Sequence, residues 1–306
     1  MWRLAIKTII EQGLTGLANA GTINSGHWFV GHFGAEVLSL AFLILSGRIE
    51  KNTEPLVYDR IEEVLKVQAK FFETPLPKQN SSNSPILEDF VKAVDHSISN
   101  LCVDGHNTIF SALALRGFSL FPELARPEII QGLIDLLKAC ESAGFDRYYG
   151  LAAASFVDPT LLEKFAFRSP LQAVNVALSL HREVITDREV DGEFYFFSGS
   201  RLHLITHAHA LLTLHQLGYS NLVKSGLPSF SKHCICIDAS AVPKGAQPYT
   251  VKQQLDPRQA GFWRRSKSNS HHGKLAYSVL EIFAALPQAN QAESLKDLSS
   301  YWEFYD

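Results

Sequence analysis

The sequence is poor in sulfur and in charge. Its 306 residues include one methionine and four cysteines, and charged side chains make up 19%. Positive charge is not in excess: 28 Lys and Arg face 31 Asp and Glu, for a net charge of −3. That balance gives no electrostatic footing for nucleic acid. The one basic run, Arg264–Asn269, is short and reads as a solvated loop. Cys102, Cys140, Cys234 and Cys236 form no CxxC pair, so they read as buried structural thiols, with no sign of an oxidising compartment. HExxH, zinc-finger spacing, GxxxxGK[ST], GxSxG and a GxGxxG after a strand are all absent. Their absence leaves tightly bound ATP or dinucleotide and serine-hydrolase chemistry without support. The N-terminus, MWRLAIKTIIEQGL, lacks the continuous apolar core and cleavage motif of a signal peptide, and a cytoplasmic location is expected. Trp28–Leu45 is nearly all apolar but contains His32 and Glu36, both expensive in lipid. We therefore expect a buried core helix and no membrane span.

Hydrophobic residues make up 46%, which is globular composition. Periodicity and capping signals predict about ten helices and few strands. A short helix is expected at Met1–Gln12, then a Gly/Asn-rich loop at Gly13–Gly31. Further helices are expected at His32–Ser46, Glu54–Glu73, Ile86–Leu101, His106–Leu120, Pro127–Ala143, Ser169–His181, Ser200–Gly218, His272–Leu286 and Gln291–Trp302. Leu76–Pro85 reads as a loop and Pro243–Ser270 as mostly irregular. Asp187–Phe197 reads as a hairpin turning at Asp191-Gly192, and Lys232–Ala241 as another strand. The alternating acids Asp187, Glu189, Asp191 and Glu193 then lie on a solvated strand face. With no composition break, the expectation is one mainly α domain over residues 1–306. Apolar inner helices and amphipathic outer ones would pair around a central cavity, with one or two short β-hairpins.

Histidine is what the chain has in a pattern. Of twelve, His27, His32, His106, His203, His207, His209, His271 and His272 sit at or near the starts of apolar helices. A single histidine there is most simply a hydrogen-bonded boundary residue, but several rings converging call for a cation, because neutral imidazole is a common metal ligand. Glu36 follows His32 by one turn on an apolar helix, so its carboxylate needs a partner, either the metal or a ring N–H. Lys274 opens the apolar helix SHHGKLAYSVLEIF. Held dry, it has a depressed pKa and can act as a base or take up carbon dioxide as a metal-ligating carbamate. Trp28, Phe29, Phe33, Phe110 and Tyr277 are close to these residues in sequence and are candidate pocket walls.

GHFGAEVLSLAFL at His32, GHNTIFSALALRGF at His106, THAHALLTLHQLG, and the HxxKLAYxxLE segment His271–Glu281 together resemble the questin oxidase-like family. Gly31 stands where that family tends to have Asn. The resemblance implies a mainly helical oxidoreductase that uses O2 to open anthraquinone-type rings. It implies a non-haem iron (or another divalent metal) held by His32, His106, His207 and His271, with Lys274 as a fifth candidate. His203 or His209 are alternates for His207 and His272 for His271, and His27 is a further alternate. Lys274 and Glu36 are the catalytic candidates, and the expected partners are O2 and a small aromatic substrate. A rival likeness exists. Ser25-Gly26-His27, and Ser200-Arg201 followed after five residues by His207, resemble two signature pieces of the phosphatidic acid phosphatase/vanadium haloperoxidase superfamily. The third piece, a Lys and an Arg-Pro upstream, is absent: the only Arg-Pro is Arg126-Pro127. A non-catalytic helical binding protein is the remaining reading, with the histidines as structural caps.

Overall fold

A helix that is apolar all round can only be stable with neighbours on every side, and four such helices sit at the centre of this molecule. The structure is a computed structural model describing residues 2–23, 27–78, 84–151, 163–180, 187–247, 249–264, 270–286 and 291–304. Ser25, Gly26, His181 and most of the expected loops at 76–85 and 264–269 lie outside these. Among the described residues the fold is mainly α, with thirteen α-helices and one two-stranded antiparallel hairpin.

The helices are α1 (Trp2–Thr22), α2 (Gly31–Ser46), α3 (Glu54–Val67), α4 (Ala69–Glu73), α5 (Leu87–Ile98), α6 (His106–Leu120) and α7 (Pro127–Ala143). After them come α8 (Pro170–Leu180), α9 (Phe197–Gln216), α10 (Ser220–Ala239), α11 (Ala260–Trp263), α12 (His271–Ala285) and α13 (Gln291–Phe304). The central four are α2, α6, α9 and α12, buried along nearly their whole lengths. α9 packs on α6, α8, α10 and α12, and α12 also packs on α2. Amphipathic α3, α5 and α7 bury one stripe each, as Phe90, Val94 and Ile98 do on α5. One hydrophobic core runs through all of them. α2 ends at Gly47 in the left-handed region, and α7 begins with Pro127 and stops at Gly144. The apolar stretch Trp28–Ser46 has the length and composition to cross a membrane, yet 67% of it is buried within the chain.

Three expectations are corrected. The glycine-rich segment after residue 12 is helix: α1 runs on to Thr22 because its glycines are contact points, not breaks. A Cβ on Gly13 would lie 2.7 Å from Leu38 Cγ, one on Gly34 2.5 Å from the Leu17 nitrogen, and one on Gly132 2.6 Å from the Ala18 carbonyl. α1, α2 and α7 thus meet backbone to backbone, and the contact area outweighs glycine's low helix propensity. Lys232–Ala241 is not a strand but the last part of α10, continuing through Pro228. Its β-branched Ile235 and Ile237 favour a strand locally, but burial of Phe230, Cys234 and Ile237 on helical spacing decides otherwise. The expected helix Glu54–Glu73 is broken at Gln68, whose φ and ψ are −110° and 26°. The hairpin matches its expectation closely. Strands β1 (Arg188–Val190) and β2 (Glu193–Tyr195) pair Val190 with Glu193, and Asp191 and Gly192 turn with positive φ.

Candidate metal centre

Side chains on the first turn of a helix lean back over its N-terminus, where the preceding turn presents carbonyls. Two of the candidate rings exploit this. His32, in the first turn of α2, bonds Phe29 O through Nδ1 at 2.7 Å, and His106, first in α6, bonds Val103 O through Nδ1. His271 is first in α12, and His203 comes from the second turn of α9. The ligand nitrogens of these four residues lie within 4.8 Å of one another. His32, His106 and His203 are buried and His271 is partly so.

The protons on two of these rings are fixed by simple chemistry. A carbonyl only accepts, so Nδ1 of His32 and of His106 must each carry the hydrogen. In a neutral ring that leaves Nε2 bare. The two bare Nε2 atoms face each other at 2.8 Å, so lone pair meets lone pair. Protonating a ring would relieve this, but burial holds His32, His106, His203 and His271 neutral, well below the usual histidine pKa. The Lys274 charge adds to the effect at His32, His106 and His271, and the neighbouring His106 at His203. Two acceptors facing each other in this way can share a cation, either the Lys274 ammonium or a metal ion held by the four histidines.

Lys274, one turn beyond His271 and fully buried, puts Nζ 3.4 Å from His106 Nε2 and 3.5 Å from His203 Nε2. Burial lowers its pKa to about 7, partly opposed by Glu36. It is therefore poised between ammonium and free amine. The donor set suits a divalent transition metal: neutral imidazoles need not lose a proton to bind. Two nitrogens ~2.1 Å from one ion are at most ~4.2 Å apart, so sub-ångström ring movements are enough.

Other candidates fall elsewhere. His207 follows His203 by four residues, about 6 Å along the helix, and so belongs to another layer. Its Nδ1 is 3.3 Å from His233 Nδ1, and His233 donates from Nε2 to Ser200 O at 3.1 Å. Of the α9 histidines it is His203, named as an alternate, that joins the group. His209 packs on Tyr277 and bonds Thr213, and His272 bonds Trp302 O. His27 is exposed and lines the cavity beside the four histidines without joining their group. Among the described residues Glu36 makes no hydrogen bond to a ring N–H or to the four-histidine group. Arg60 reaches in from α3 and donates to its Oε1 at 3.0 Å. Burial raises the Glu36 pKa and Arg60 works against that. Phe33 lies beside Arg60 in an outer recess, and Tyr277 stacks near Phe42. Cys102, Cys140, Cys234 and Cys236 are buried free thiols.

A cavity of about 270 Å³ opens on the four histidines. Trp28, Phe29 and Phe196 form apolar walls, and Asp104, Asp146 and Asp187 add carboxyl groups. Burial, then repulsion from Asp104, pushes Asp146 up to about 8. Asp187, expected on a solvated strand face, instead accepts the Ser198 N–H at the start of α9, 2.7 Å away. Asp104 sits in a turn where Val103, Asp104 and Gly105 all have positive φ (41°, 54° and 82°). Its Oδ1 accepts the Tyr148 hydroxyl, and its Oδ2 is 3.9 Å from His203 Nδ1. A Cβ on Gly105 would lie 2.6 Å from His207 Cγ.

Asp104, Tyr148, Asp146 and His233 did not stand out in the sequence. The signal for Asp104 was present: Asp-Gly favours left-handed turns, and this one lies directly before a site histidine. His233 was hidden in the segment taken for a strand.

Comparison with protein-family models, curated proteins and solved structures finds no match for this chain. Of the phosphatase-type likeness, Ser25 and Gly26 lie outside the described residues and His27 lines the cavity, but Arg201 and His207 do not. Arg201 donates to Leu180 O at 3.4 Å and lines a separate recess beside Tyr195, while His207 faces His233.

Proposed function

We propose that His32, His106, His203 and His271 hold a divalent metal, iron by the questin oxidase-like resemblance, and that the chain is an O2-dependent oxidoreductase acting on an aromatic small molecule. The observation carrying this reading is the pair of bare Nε2 atoms 2.8 Å apart, with both opposite nitrogens committed to carbonyls. Two further points support it. The four segments that resemble the family are the four that meet, and the cavity beside them has the aromatic walls and volume of a small-molecule site.

A redox-active ion bound here supplies electron exchange with O2 and substrate. The chain does the rest. Four neutral imidazoles orient the ion without competing protons. Trp28, Phe29 and Phe196 offer apolar faces that flank a planar ring. Lys274 approaches two of the rings from the side of α12 and can exchange a proton near neutral pH.

The test is elemental analysis of untagged protein, followed by oxygen-electrode assays with hydroxylated polycyclic aromatics after Fe2+ loading. About one equivalent of iron and substrate-dependent O2 uptake are expected. Less than about a tenth of an equivalent of iron, manganese or zinc, with none taken up on loading, sinks the reading.

A further inference from the structure

Each ring of a metal-binding histidine needs its far nitrogen held, so that the near one presents a lone pair. For His32 and His106 the holders are backbone carbonyls. His203 has none: among the described residues its Nδ1 makes no hydrogen bond. The acceptor in front of it is a carboxylate, Asp104 Oδ2, at 3.9 Å. That is ion-pair range, and a shift of about 1 Å closes it to a hydrogen bond. Asp104 is unusually well placed for this. Its other oxygen takes the Tyr148 hydroxyl, and His233 Nε2, 3.7 Å from that oxygen, is committed to Ser200 O. Oδ2 is the oxygen left for His203. The left-handed turn that delivers it is the same turn that gives Val103 O to His106. Positive φ at Val103 and Asp104 is strained and persists only where the surroundings over-determine it.

We infer that Asp104 is a positioning residue for the metal centre: it receives the Nδ1 hydrogen of His203, fixes that ring with Nε2 toward the other histidines, and is itself steered by Tyr148. The inference rests on the metal reading and extends it to a carboxylate–histidine–metal relay. The test uses Co2+ as probe, with affinity read from its d–d absorption against a competing chelator. Asp104→Asn removes the charge while suiting the left-handed turn, since Asn tolerates positive φ. A 10–100-fold weaker Kd is expected. In a His203→Ala background the same change should have no further effect. Tyr148→Phe should weaken binding in the same direction, again only when His203 is present, and serves if Asp104→Asn does not fold. In metal-free protein, 15N spectra of His203 should show the proton on Nδ1. Wild-type-like binding by Asp104→Asn, an equal loss without His203, or a proton on Nε2 of wild-type His203 each overturns the inference while leaving the metal reading in place. Failure of the wild-type protein to take up Co2+ or Fe2+ overturns the metal reading and this relay with it.

Discussion

His32–His106 and His207–His233 are both pairs of fully buried imidazoles whose nitrogens approach within hydrogen-bonding range, yet they differ in kind. In the second pair the protons have somewhere to go. His233 gives its Nε2 hydrogen to Ser200 O, so its Nδ1 is an acceptor, and His207 Nδ1 supplies the donor. In the first pair both donors are already spent on carbonyls, and two acceptors confront each other. One contact is a hydrogen bond inside a core. The other leaves two acceptors turned toward a place that the Lys274 ammonium or a metal ion could serve. What separates the group that could hold a metal from a packed histidine pair is therefore the placement of hydrogens, which the rest of the fold imposes through its carbonyls.

The sharpest way to break this comparison is to remove one ring from each pair. His106→Ala should drop bound metal from about one equivalent to below about a tenth. His207→Ala should leave metal content unchanged and destabilise the fold by about 2–4 kcal/mol, as a buried truncation does. Metal analysis and chemical denaturation of both variants check this, and metal loss in His207→Ala ends the distinction.

Next in size is Gly105→Ala. The residue has φ +82°, and the new methyl would meet the His207 ring. A loss of about 2–4 kcal/mol is expected from strain and overpacking. Metal affinity should weaken as well, because the turn carries both Val103 O and Asp104.

The last comparison is pH dependence, which runs in opposite directions for two groups near the histidines. Lys274 sheds its proton near 7 when folded and near 10.5 when unfolded, so its charged form costs the metal-free fold fully below pH 7, and that cost fades toward pH 10.5. Lys274→Met should accordingly raise the Tm of metal-free protein more at pH 6 than at pH 10. Asp146 keeps its proton up to about 8 when folded but only to 3.8 when unfolded, so its cost grows through that interval and is complete above pH 8. Asp146→Asn should raise Tm more at pH 8.5 than at pH 5. Thermal melts read both, at about 2 °C per kcal/mol in a chain this long. Parallel slopes would mean that these side chains are better solvated than the structure has them.

The mainly α fold was legible because periodicity and caps are local: Gly47, Pro127 and the Asp191-Gly192 turn each act as their chemistry dictates. The glycines of α1 and the isoleucines of α10 misled because their local preferences yield to contacts with distant segments. At the site, histidines at helix starts pointed to the right elements, and His32, His106 and His271 do converge. The choice among His203, His207 and His209 depended on how far α9 is inserted past α6, a translation that no spacing within α9 encodes. Glu36 shows the same limit. Its need for a partner followed from its apolar helix, but that the partner is Arg60 is a fact of how α3 packs.

The close approach of α1 to α2 has a mechanical consequence for the four-histidine group. Gly34 lies two residues after His32, on the opposite side of α2, with a backbone atom of α1 directly against it. At Gly34 the contact is backbone against backbone, with no side chain between the two helices to re-pack, although Leu38 fills the same seam opposite Gly13. Chelation tolerates errors of about half an ångström, and the seam helps hold His32 within that margin. The dimensional tolerance of the site is thus set partly on the face of α2 turned away from it, by atoms that take no part in its chemistry.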